Sequence, residues 1–123
     1  MPRRIQHERG ECQALVSWFH LQHPKKLIVH VPNELVRNMY QAVTQVGIGL
    51  VPGFPDYLIL CARGEWHGLA IEMKSKGKMG VVSAEQIAII EKLNLEGYKA
   101  VCCRGFEEAQ KIVADYMALG EVS

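Results

Sequence analysis

Asp56, Glu72 and Lys74 are the residues of this sequence from which chemistry can be built. Asp56 closes a loop of two glycines and two prolines, in "GLVPGFPDYLIL" at 49–60, and runs straight into an apolar strand pattern. An unpaired carboxylate at the mouth of a strand costs stability, so its position asks for a partner. Glu72 and Lys74 are separated by one residue in "IEMK", the spacing of same-face neighbours on a strand. Two carboxylates and a lysine on one side of a hairpin, among apolar residues, suit a bound divalent cation. Hydrolysis of a phosphodiester needs such a cation to polarise the phosphoryl oxygen and acidify a water. It also needs a positive group near the attacking water or the developing charge, a role for a lysine held at a strand end.

Each residue alone has a plainer reading. Asp56 by itself is a turn residue, and Glu72 with Lys74 is an exposed, charge-paired strand face. The three in order favour the metal.

The elements that must position them follow from periodicity. A helix is predicted over 8–22, where Glu8, Cys12, Leu15 and Phe19 share a stripe and Pro24 stops the run. "LIVHV" at 27–31 is a short strand ended by Pro32-Asn33, and 34–46 reads as helical. "DYLILCA" (56–62) and "HGLAIEMKS" (67–75) form a hairpin around the turn "RGEW". Its alternation places Asp56, Leu58 and Leu60 on one face, and Ala70, Glu72 and Lys74 on one face of the partner strand. Ser83-x-x-Gln86 is a capping box that starts a helix near 84, to end near Gly97. "YKAVCC" is a further strand, followed by a helix from about 106 to 119. The order predicts one domain over 1–123, an α/β fold with a mixed four-stranded sheet flanked by helices.

Composition bounds the class. The chain has 123 residues, 49% hydrophobic and 22% charged, with a net charge of +1, which describes one globular core and not a disordered segment. No apolar run approaches the roughly 20 residues of a membrane span. The beginning of the chain carries no apolar signal core, so a cytoplasmic setting is expected. Cys12, Cys61, Cys102 and Cys103 form no CxxC pair and are expected as reduced thiols. A zinc site from Cys61 and His67 lacks ligand spacing, and the five histidines show no metal-binding pattern. Nucleotide-cradling GxGxxG and GxxxxGK[ST] motifs are absent, so no nucleotide cofactor is expected. With so small a net charge, nucleic acid would have to be held by local clusters: Arg3-Arg4 with Arg9, Lys25-Lys26, and Lys74, Lys76 and Lys78.

"PDYLIL … IEMK" resembles the PD-(D/E)xK nuclease signature, and its wider context resembles the VRR-NUC family (virus-type replication-repair nucleases). The resemblance spans nearly the whole chain: a helix-1 glutamate, "HVPNE", "VGIGLVPGFPD", "IEMKSKGK", "SAEQ" and "GYKAVCCRGFEEAQKIVADYM". It implies a restriction-endonuclease-like fold and an endonuclease using Mg²⁺ or Mn²⁺. Asp56 and Glu72 would be metal ligands, joined by a main-chain carbonyl beside Glu72, at Met73. Lys74 would be the catalytic lysine, Gln86 an active-site helper and Glu8 an acid acting through metal-bound water. Asn33 would lie near the substrate groove, and Lys76 and Lys78 would contact phosphates. Branched replication or repair DNA is the implied substrate, with four-way junctions foremost.

Two site residues keep alternatives. The capping box explains Gln86 without catalysis, while its stripe with Ile90, Leu93 and Gly97 would face the sheet. Glu8 and Glu11 compete for the helix-1 acid, and either also serves as favourable negative charge near a helix start. Gln86 stands twelve positions after Lys74, further than in the family pattern. Resolving a four-way junction takes two symmetric nicks, so a homodimer is expected, with residues 34–46 or 79–82 in the contact. Apolar residues including Trp18, Phe19, Leu35, Met39, Tyr40, Met79, Val81 and Val82 would supply the patch. The alternative function is a non-catalytic nucleic-acid-binding module of the same fold; a small-molecule- or protein-binding α/β domain with surface acids is a third class.

Overall fold

The computed structural model describes residues 3–32, 43, 44, 46–75 and 81–121, with side chains in the first helix from Gly10 onward. The elements run α1 (Arg3–Gln22), β1 (Ile28–His30), β2 (Tyr57–Ile59), β3 (Leu69–Lys74), α2 (Ala84–Leu95), β4 (Lys99–Arg104) and α3 (Phe106–Met117). The strands form one sheet in the order β1-β2-β3-β4. β1–β2 and β2–β3 are antiparallel and β3–β4 is parallel, so the sheet is mixed. The α/β class and the four-stranded sheet expected from the sequence are both found.

β3 is the central element. Leu69, Ile71 and Met73 point to one face and are buried with Tyr57, Ile59 and Cys103 of the neighbouring strands. Leu15 and Phe19 of α1 and Ala109, Val113 and Tyr116 of α3 close over them. These helix positions recur at three- and four-residue spacing, which is why one apolar stripe on each helix suffices. Phe19 is wholly buried here, which removes it from the residues expected at a dimer contact. The other face of β3 carries Ala70, Glu72 and Lys74, and α2 packs beyond them on β4. Asn94 of α2 ties that packing down, with its Oδ1 accepting from the Ala100 amide at 3.0 Å.

Two elements depart most from expectation. α1 begins at Arg3, not near residue 8, because residues 3–7 contain no glycine or proline to stop a helix. β2 is only Tyr57–Ile59. The hairpin turn is at Arg63–Trp66 as expected, with reciprocal main-chain bonds of 3.1 and 2.9 Å. Between turn and ladder, however, residues 60–62 face only 67–68. That extra residue is a bulge, which breaks the pairing and turns Leu60 outward. Tyr116 Oη donates to the Cys61 carbonyl at 2.7 Å, so α3 fixes the bulged segment. Of the helix expected at 34–46, Val43, Thr44 and Val46 have helical backbone, and the rest lies outside the described residues.

α2 starts at the expected capping box, with Ser83 as N-cap. It ends where Gly97 takes φ +90°, a conformation open to glycine. No helix among the described residues is long and apolar enough to cross a membrane.

Candidate active site

Asp56 lies one residue before β2. Continuing the register Tyr57↔Ile71 by one step sets Asp56 opposite Glu72. The loop end is anchored from both sides. The Asp56 carbonyl accepts from the Val31 amide at 2.8 Å and lies 3.1 Å from His30 Nδ1. The Asp56 side chain accepts from the Met73 amide, at 2.8 Å from Oδ2. The carboxylate at the strand mouth therefore has its partner: it caps the backbone of the strand that carries Glu72 and Lys74.

Glu72 is 5% exposed. Burial above all, and next the Asp56 carboxylate, push its pKa up from 4.5 to about 8, against the opposing pull of Lys74. Two acids this close cannot both ionise cheaply, so below that pH the pair retains a proton. Lys74 Nζ lies 3.7 Å from Glu72 Oε1. The same oxygen accepts from Gln86 Nε2 at 2.9 Å.

Gln86 unites the two readings of its role. Its amide donates to Ser83 Oγ at 3.1 Å, and its side-chain Oε1 accepts from the Ser83 amide at 2.9 Å. With Oε1 spent on the cap, Nε2 is the end left to face Glu72. The helix cap thus aims the glutamine at the carboxylate. The greater spacing from Lys74 does not prevent this contact.

Gly53 brings the two parts of the site together, and nothing in the sequence singled it out. Its φ is +81°, and a Cβ there would lie 2.8 Å from the Glu85 carbonyl carbon and 2.9 Å from the Gln86 amide nitrogen. The loop leading to Asp56 therefore rests directly on the first turn of α2. No sequence pattern points to His30 either, since its approach to Asp56 depends on the β1–β2 register. A strand-end histidine beside a turn is the one signal that was available.

The structure thus brings Asp56, Glu72, Lys74, Gln86 and the Met73 backbone together. Glu8 lies in α1 before Gly10, where only the backbone is described, and Glu11 is half-buried in the same helix. Asn33, Lys76 and Lys78 lie outside the described residues. All four cysteines are free. Cys61 is buried while His67 is exposed, so they share no site. Beside Asp56, an open apolar hollow of about 320 Å³ is lined by Val31, Gly49, Leu50, Val51, Phe54 and Leu58. Neither carboxylate lines it.

The donor set fits a hard divalent ion. No group of three or more His, Cys, Asp or Glu side chains gathers among the described residues. Two carboxylates nevertheless match an ion such as Mg²⁺, which keeps several waters and takes its remaining ligands from substrate phosphates. The buried acid pair supplies the negative charge that such a cation would relieve.

Known proteins share this fold and sequence pattern. The solved structure of a VRR_NUC domain protein is 30% identical in sequence and has a TM-score of 0.82, over 95% of this chain and 93% of that one. No curated protein matches by sequence. The sequence pattern of the VRR-NUC domain matches residues 1–107. The chain therefore belongs to the VRR-NUC domain family, whose members are of nuclease type and act on nucleic acid.

Proposed function

We propose that the chain is an endodeoxyribonuclease that uses Mg²⁺ or Mn²⁺ to hydrolyse phosphodiester bonds in branched DNA, four-way junctions foremost. The observation that carries this reading is the contact set at Glu72: a buried carboxylate beside Asp56, with Lys74 at 3.7 Å and Gln86 at 2.9 Å. A bound divalent ion would polarise the phosphoryl oxygen and acidify a water. Asp56, Glu72 and the Met73 carbonyl would hold it. Lys74 sits at a strand end whose carbonyl accepts from the Gly105 amide, and its charge would orient the water and offset charge developing on the phosphate. Gln86 fixes the rotamer of Glu72 by donating to one of its oxygens. Glu8 would act through water on the same ion. Asn33, Lys76 and Lys78 would contact the DNA.

Two active sites are needed to resolve a junction, and a C₂ dimer would supply them. Val43, Val46 and Val81 support this, being 65%, 50% and 74% exposed within the two segments expected at the contact. The four free thiols suit a reducing, cytoplasmic setting.

Labelled linear, flap, splayed and four-way DNA, each with Mg²⁺, Mn²⁺ or chelator, test the reading. Metal-dependent cleavage strongest on the four-way substrate is expected. Tight binding without cleavage in either metal would instead make the chain a non-catalytic binding module. Equilibrium sedimentation at micromolar protein tests the dimer, which a clean monomer would remove.

A further inference from the structure

The end of β4 has no part in the site described so far. β4 runs parallel to β3, with Glu72 level with Cys102 and Lys74 level with Arg104. Partners on adjacent strands point to the same face, about 4.8 Å apart. Cys102 and Arg104 therefore flank Glu72 and Lys74 on the reactive side of the sheet. Electrostatics agree with that placement. Burial first and then Glu72 push the Cys102 thiol up, while Arg104 and Lys74 pull it down.

Arg104 is half-buried, yet among the described residues its guanidinium makes no hydrogen bond or ion pair. Lys74, its neighbour, is engaged with Glu72. Glu108, one turn into α3, is near enough to act on the same thiol but does not pair with Arg104. The strand ends are locked together, because the Gly105 amide donates to the Lys74 carbonyl at 2.9 Å. A guanidinium on a strand end so held, partly removed from water and without an acceptor, is suited to an anion that offers two oxygens to its fork, as a phosphodiester does.

We propose that Arg104 is a phosphate-binding residue that grips a backbone phosphate of the nucleic acid next to the one cleaved. This rests on the nuclease reading. Arg104 touches a phosphate that does not react, so it contributes to binding and not to the chemical step. The plainer alternative is a solvated charge near the start of α3, without a ligand.

The test uses Arg104→Met, which keeps the apolar stem and removes the charge, and Arg104→Lys, which keeps the charge and loses the fork. Lys111→Ala is the control, since Lys111 pairs with Asp115 on the exposed side of α3. Binding of a fluorescein-labelled four-way DNA is followed by anisotropy in chelator across a range of salt. Arg104→Met is expected to lower the slope of log K against log salt by about one. In Mn²⁺ it is expected to raise KM severalfold with kcat little changed. Lys111→Ala should match the parent in both. If Arg104→Met does not fold, Arg104→Lys decides: the slope should hold and KM should rise, and an unchanged KM overturns the proposal. Parent-like slope and KM in Arg104→Met also overturn it while leaving the nuclease reading intact. A parent protein that neither binds nor cuts DNA removes both.

Discussion

The two faces of β3 are built for opposite purposes. Leu69, Ile71 and Met73 look into a core closed by α1 and α3, where each methylene removed from water lowers the free energy of the fold. Ala70, Glu72 and Lys74 look the other way, towards Asp56 and Gln86. On that side a buried carboxylate is kept next to another acid, an arrangement that weakens the metal-free fold. The same six residues therefore hold the molecule together and carry the feature that strains it. The alternation of a strand is what keeps the two from interfering.

The largest effects should separate the faces outright. Asp56→Asn and Glu72→Gln preserve volume and remove a charge, so cleavage should fall by orders of magnitude while the fold stays intact. Ile71→Ala should do the reverse, costing about 2–5 kcal/mol of stability with activity per folded molecule largely kept. Urea unfolding and single-substrate cleavage rates, measured on the same preparations, check both. Full activity of either carboxylate variant in Mg²⁺ would end the assignment of this face.

Within the reactive face, Lys74 should differ from the lysines that follow it. Lys74→Met is expected to abolish turnover while metal binding and most DNA affinity remain. Lys76→Ala and Lys78→Ala should each flatten the salt dependence of binding by about one phosphate contact. On α1, Glu8→Gln should lower the rate strongly, and Glu11→Gln should cost only a helix-dipole effect of about 0.3–1 kcal/mol. If the three lysine variants behave alike, Lys74 is one of a run of basic contacts and not part of the site.

Acidity offers a subtler contrast. In the folded chain Glu72 titrates near 8, above its ordinary 4.5. The native state therefore binds more protons than the unfolded state between those values. Stability from this group is fully present below 4.5 and is lost as pH rises through 8. In chelator, the unfolding free energy should fall across that window with a slope of at most about 1.4 kcal/mol per pH unit. Glu72→Gln should remove the slope and be the more stable protein at pH 8, since its amide oxygen can still accept from Gln86. Mg²⁺ should stabilise the parent more as pH rises, because the ion competes with the proton. A flat metal-free profile for the parent would show that Glu72 is an ordinary acid.

Much of this contrast was legible in the residues. The alternation in "IEMK" and the turn at "RGEW" were enough to put Glu72 and Lys74 on one face and Asp56 across from them. The bulge at 60–62 was not legible, because an extra residue in a ladder leaves an apolar run looking continuous. Gln86 fits both a cap and an active-site residue because each role takes one end of its amide. The side chain has two ends, and both are used. Gly53 and His30 were missed for a common reason: their roles consist of contacts across the fold that no local pattern encodes.

Gly53 offers the sharpest control. Its φ of +81° disfavours any side chain, and an added Cβ would press within 2.9 Å of backbone atoms in Glu85 and Gln86. Backbone cannot swing aside as a lysine end can, so either the loop carrying Asp56 or the first turn of α2 must shift. Gly53→Ala is expected to cost about 1–3 kcal/mol from strain at this conformation, and to lower kcat by loosening the Gln86–Glu72 bond. Gly10, inside α1, is the opposite case: a Cβ there meets nothing within 4 Å and the backbone is already helical. Gly10→Ala should therefore stabilise by about 0.4–1 kcal/mol, through a less disordered unfolded chain, with cleavage unchanged. The pair compares the same substitution in the two regions by urea unfolding and rate. Were Gly53→Ala as stable and as active as the parent, the loop would not be what holds Gln86 against Glu72, and the capping box alone would have to do so.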